Sequence, residues 1–128
     1  MNGYSKAALR ALDILNRSAE KSPAQAWKNA VSEIYPSKPS ARDKGCPKGA
    51  FLGLCSAGLV AGVPEGKYTN SRKNSAYAIK AVEALRANPN LAEQPSKLWE
   101  AIQEGKRITH NGQLDVVICL WRNGYVRS

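Results

Sequence analysis

Six cations crowd two helix starts: Arg42, Lys44 and Lys48 run into one, and Lys67, Arg72 and Lys73 surround the next. Cations in a first helical turn oppose the macrodipole and are disfavoured by roughly 0.3 to 1 kcal/mol. A chain that collects them there suits an anion, on which free backbone N-H groups and side-chain charge act together. The plainer reading is that the same side chains extend into water and keep a small protein soluble. Cys46 stands among the first set, at the expected N-cap of the helix. There the positive end of the helix, with Lys44 and Lys48, favours a thiolate. Thiol catalysis would need a base, and His110 is the single imidazole of the chain. Sequence spacing does not bring His110 to Cys46, so a thiol enzyme is the third reading rather than the first.

Other chemistries find few parts. Cys46, Cys55 and Cys119 show no C-x-x-C spacing, so neither a zinc site nor a disulfide framework is expected, and no metal or cofactor is implied. The run KGCPKG has glycines and lysines but lacks the G-x-x-x-x-G-K-[ST] spacing of a phosphate-binding loop. Glu93, Glu100 and Glu104 fall with Lys97 on or near one helix, the pattern of a solvated face. Trp27, Trp99 and Trp121 lie on apolar stripes and read as core. Tyr68, between Lys67 and Asn70, is the one aromatic placed as a nucleic-acid binder would place it.

The net charge of +9 is concentrated. Residues 36–48 carry +3 through Lys38, Arg42, Lys44 and Lys48 against Asp43, and residues 65–80 and 106–128 carry +3 each. Residues 81–105 carry −2. Convergence of the first two segments would make a patch for phosphates, nucleic acid or an acidic protein partner. The longest uncharged run, residues 49–64, has 16 residues, short of the roughly 20 a membrane helix needs. The N-terminal periodicity is broken by charges and has no signal-peptide core, so a cytoplasmic protein without a membrane span is expected.

The element between the two basic segments is the centre of the fold. Residues 46–62 read as a helix of about four turns, opened by Pro47 as its first residue and stopped by Gly62. Apolar or small residues occupy all its sides, so it should be buried all round, with Gly49, Gly53 and Gly58 admitting close neighbours. Before it, residues 4 to about 19 form an amphipathic helix. Ser22, Pro23 and Gln25 then open a second with cap, first residue and capping-box partner, burying Trp27, Ala30, Val31 and Ile34. Its outward Gln25, Lys28, Asn29 and Ser32 are side chains that can read base edges if the hairpin is a helix-turn-helix. Residues 35–46 read as a loop. Asn70 or Ser71 caps a further helix ending before Pro89, another runs from Pro95 to Gly105, and Leu114, Val117, Ile118 and Trp121 form the stripe of a last one. The run VVICLW also has strand propensity, but a lone strand would have no partner.

Together these features describe an all-α, single-domain bundle over residues 1–128, five or six helices around a buried Gly/Ala-rich centre. The leading function is a small cytoplasmic binding protein whose basic surface takes a phosphate-bearing ligand or nucleic acid. The alternative is a protein-interaction module or homo-oligomer meeting an acidic partner.

Overall fold

Apolar stripes at helical spacing do fold as helices throughout. The computed structural model describes residues 2–17, 22–103 and 112–127. Its helices are α1 (Gly3–Arg17), α2 (Pro23–Ile34), the single turn α3 (Pro39–Arg42), α4 (Gly45–Ser56), α5 (Arg72–Ala87), α6 (Pro95–Gln103) and α7 (Gln113–Arg122). A 3-10 segment, Pro89–Glu93, joins α5 to α6. Glu104, His110, Asn111 and the expected ends of the first helix at about residue 19 and of the helix opened by Pro95 at Gly105 lie outside the described residues.

The α1 stripe of Ala7, Ala8, Ala11, Leu12 and Leu15 is buried, and α2 packs on it through Ala26, Trp27, Ala30 and Val31. Small alanines on facing sides let this hairpin close tightly. Ser22 caps α2 as its sequence demands, its hydroxyl accepting from the Gln25 backbone N-H at 3.3 Å. The Gln25 side chain donates forward to Asn29 Oδ1 at 2.9 Å. Ile34, expected in the core, is only half-buried.

Helix α4 is the centre. Every residue from Gly49 to Cys55 is buried, and α4 packs against α2, α5 and α7. Gly53 is indispensable to one of these contacts: a Cβ there would stand 2.6 Å from Ser75 Cα. One turn earlier, a Cβ on Gly49 would meet Asn74 Cβ at 2.7 Å and Ser71 Oγ at 2.8 Å. Gly49 beside Ser71 and Asn74, with Gly53 beside Ser75, brings the middle of α4 against the start of α5.

Both ends of α4 differ from expectation. Its N-cap is Lys44, so Cys46 lies within the first turn and Pro47 follows it. Its stop is Gly58, not Gly62. Gly58 takes φ +73°, its N-H bonds Cys55 O at 3.1 Å, and the Leu59 N-H reaches Leu54 O at 3.0 Å, the paired bonds of a Schellman cap. The chain leaves the helix early because Val60 pairs antiparallel with Val126, the Ala61 N-H bonding Tyr125 O at 2.7 Å and the Arg127 N-H bonding Leu59 O at 2.8 Å. Residues 35–46, read as a loop, contain α3 with Pro39 in its first turn.

Helix α7 settles the ambiguous run as helix. Leu114, Val116, Val117, Ile118, Cys119 and Leu120 are buried, and Gly124 at φ +77° follows its last turn. Trp121, expected inward, is half-exposed. Helix α1 is tied to α7 by Ser5, whose hydroxyl donates to Asp115 O at 3.0 Å and whose carbonyl accepts from the Cys119 thiol at 3.5 Å.

Candidate functional site

The six cations do not converge on one point. Arg42 and Lys48 line a groove of about 700 Å³ between α2, α3 and α4, and Lys28 of α2 lines it with them. Ser22, Gln25 and Ser32 form the α2 wall, Trp27 and Val31 lie at its base, and Asp43 adds the one carboxylate of the lining. Lys67 and Arg72 line a separate groove of about 570 Å³ with Thr69, Asn70, Ser71 and Ser75. Where Gly49 meets Ser71 and Asn74, the second turn of α4 lies against the start of α5. Lys73 is exposed on α5 and belongs to neither lining.

Lys44 has a different task. Its ammonium stands 5.6 Å from the centroid of the Tyr4 ring, a cation–π contact, and the Tyr4 hydroxyl donates to Ala41 O at 3.1 Å. Tyr4 packs in turn on Tyr35, with centroids 5.4 Å apart. Burial, with neighbouring Tyr35, raises the Tyr4 pKa. This cluster pins the segment carrying α3 to the start of α1, and so places Arg42 over the groove.

Among the described residues, none of Lys28, Arg42 and Lys48 has a carboxylate within ion-pair distance, whereas Arg10 meets Asp13 and Glu33, Arg17 meets Asp13, and Arg122 meets Glu93. The groove cations are therefore available to a ligand. A second feature lies beneath them. Trp27 is 1 % exposed, stacks on Phe51 with centroids 5.2 Å apart at 28°, and its buried Nε1 has no hydrogen-bond partner among the described residues. Buried indole N-H groups are usually satisfied.

Sequence reasoning placed Lys28 among base-reading side chains and Trp27 simply in the core. The signal that joined them, a cation directly after a buried tryptophan, gains meaning only once α3 and α4 close over α2. The thiols are inert or uncommitted. Cys55 is fully buried, and burial pushes its thiol up to about 12. Burial also raises the Cys119 pKa, opposed by its bonds with Ser5 and Asn123. Cys46 is half-exposed in the first turn of α4, and its expected base His110 lies outside the described residues. No cluster of potential metal ligands occurs among the described residues. Tyr68, the aromatic of the second basic segment, is half-buried and donates its hydroxyl to Pro64 O at 2.7 Å.

Fold and grooves define a small, basic, all-helical protein with two cation-lined grooves. Residues 1–127 match a family described as "Family of unknown function (DUF6979)", and the chain belongs to that family. No curated protein and no solved structure matches it.

Proposed function

We propose that this chain is a small cytoplasmic binding protein whose basic surface holds a phosphate-bearing ligand or nucleic acid. The observation that supports the reading is the groove in which Lys28, Arg42 and Lys48, from three different helices, stand together without ion-pair partners among the described residues. Three unpaired cysteines suit a reducing compartment, and no helix among the described residues is long and apolar enough to cross a membrane. An acidic protein partner would use the same cations. It would have to do so through the basic loops, because residues 49–55 of the glycine-rich helix are already buried in the chain's own core.

The test is binding of a short DNA duplex as a function of salt. Affinity should fall steeply as salt rises, because each neutralised phosphate releases condensed counterions. Charge reversal at Lys48 or Arg42 should lower affinity and reduce the salt slope by about one each, whereas reversal at Lys73 should do less and reversal at Lys6 on α1 should change little. Equal loss from all four variants would reduce the reading to diffuse net charge. If neither the duplex nor inorganic phosphate binds at low salt, the reading fails.

A further inference from the structure

We infer that the groove between α2, α3 and α4 is a site for a small phosphate-bearing molecule, and that the indole N-H of Trp27 donates a hydrogen bond to an oxygen of that phosphate. The inference rests on the anion-binding reading and narrows it from a basic surface to one groove, one ligand class and one unforeseen donor.

Three observations lead to it. The Trp27 Nε1 is a buried donor with no acceptor among the described residues, on a ring stacked on Phe51, and Trp27 is one of the two buried apolar residues lining the cationic groove. An unsatisfied buried donor is costly, and an anionic oxygen is the acceptor that best relieves it. The lining charges, Lys28, Arg42 and Lys48 against Asp43, leave two positive charges, which match a phosphomonoester carrying about −1.5 to −2 near neutral pH. At about 700 Å³ the groove also falls in the range of small-molecule sites, roughly 300 to 1,000 Å³.

The same features disfavour a polymer. Single-strand binders offer exposed aromatic faces to bases, but Trp27 is buried and its neighbour Phe51 is 0 % exposed. A recognition helix presents its polar side clear of the rest of the fold, whereas Gln25, Lys28 and Ser32 of α2, though exposed, line a groove whose other side is formed by α3 and α4. Because Nε1 itself is enclosed, the ligand's oxygen reaches it only as the groove side chains adjust. The indole resonance therefore reports that event directly.

The experiment is a titration of the full ¹⁵N-labelled chain with inorganic phosphate at low salt, following the indole N-H signals of Trp27, Trp99 and Trp121. Trp27→Phe removes the donor while keeping a ring on Phe51, and identifies the Trp27 signal. If that variant does not fold, Trp99→Phe and Trp121→Phe identify it by elimination in folded protein. The expected result is a saturable shift of the Trp27 signal, larger than those of the other two. Phosphate affinity should fall about tenfold in Lys48→Ala and Arg42→Gln, and about threefold to tenfold in Trp27→Phe. Phosphate binding that is lost in Lys48→Ala but leaves the Trp27 signal unmoved overturns the donor while the anion-binding reading stands. Duplex DNA binding without phosphate binding overturns the small-ligand assignment and favours the nucleic-acid form of that reading. Binding of neither overturns both.

Discussion

The groove at α4 draws its cations from three elements, Lys28 of α2, Arg42 of α3 and Lys48 of α4, whereas the groove at α5 takes its whole lining from residues 67–79. In sequence the two basic segments look alike, a loop with lysine and arginine running into a helix start. In space the first is a tertiary object: its walls come from separate helices, its base is a buried tryptophan, and the segment that carries Arg42 is fastened by the Tyr4, Tyr35 and Lys44 cluster. The second is a local object, a loop folded against the first turns of its own helix. A local patch can attract an anion but has few independent directions from which to fix one. Groups converging from three helices can position a ligand, because the bundle's rigidity is passed to their geometry.

The comparison depends on α4 and α5 keeping their spacing, so the strongest way to break it is to wedge them apart. Gly53→Leu would drive a side chain into Ser75, whose Cα already stands 2.6 Å from the position of a Cβ. A loss of about 3 kcal/mol is expected from urea unfolding. An unchanged midpoint would show that this contact does not set the distance between the grooves.

Charge reversal sharpens the contrast. Lys48→Glu should weaken inorganic phosphate binding by about tenfold to a hundredfold, and Arg72→Glu by about threefold or less, since the latter acts only through screened distance. Titration calorimetry at low salt measures both. Equal losses would erase the distinction between a tertiary and a local site.

The helix between the grooves can be probed through Cys55, whose thiol burial pushes from 9.0 up to about 12. The unfolded chain releases this proton near its ordinary value, while the folded chain retains it. The contribution of Cys55 to stability is therefore complete below about pH 9 and is lost as pH rises toward 12, at up to about 1.4 kcal/mol per pH unit. Wild type should lose stability faster than Cys55→Ala over that window. Parallel curves would mean that α4 opens to solvent there. The smallest effect belongs to Gly45→Ala, where a Cβ meets nothing within 4 Å. It should leave stability within about 0.5 kcal/mol or raise it slightly, and a loss above about 1 kcal/mol would show that the start of α4 is packed more closely than its surroundings indicate.

Much of the fold was legible because its signals are local. Pro23 after Ser22, Asn88 before Pro89, Pro95, and Gly124 after the last apolar stripe mark helix ends through φ limits and missing N-H groups, which hold in any context. The burial of α4 on all sides was legible too, since a helix without a polar face has no alternative. The stop of α4 was not. Gly58 and Gly62 both take positive φ, and only the pairing of Val60 with Val126, 66 positions away, selects the first as the helix end.

For the candidate site the division is the same. Composition and spacing determined that the chain is basic, that its cations gather around the starts of α4 and α5, and that a helix with no charged face lies between them. Which cations share a groove was decided by packing: Gly49 and Gly53 let α4 lie against α5, Tyr4 and Lys44 fasten the α3 segment, and α2 contributes Lys28 and Trp27. Side-chain charge and helix propensity are properties of single residues and short windows. The enclosure of a groove and the unpaired hydrogen of a buried indole arise only when distant segments pack and take one another's water away.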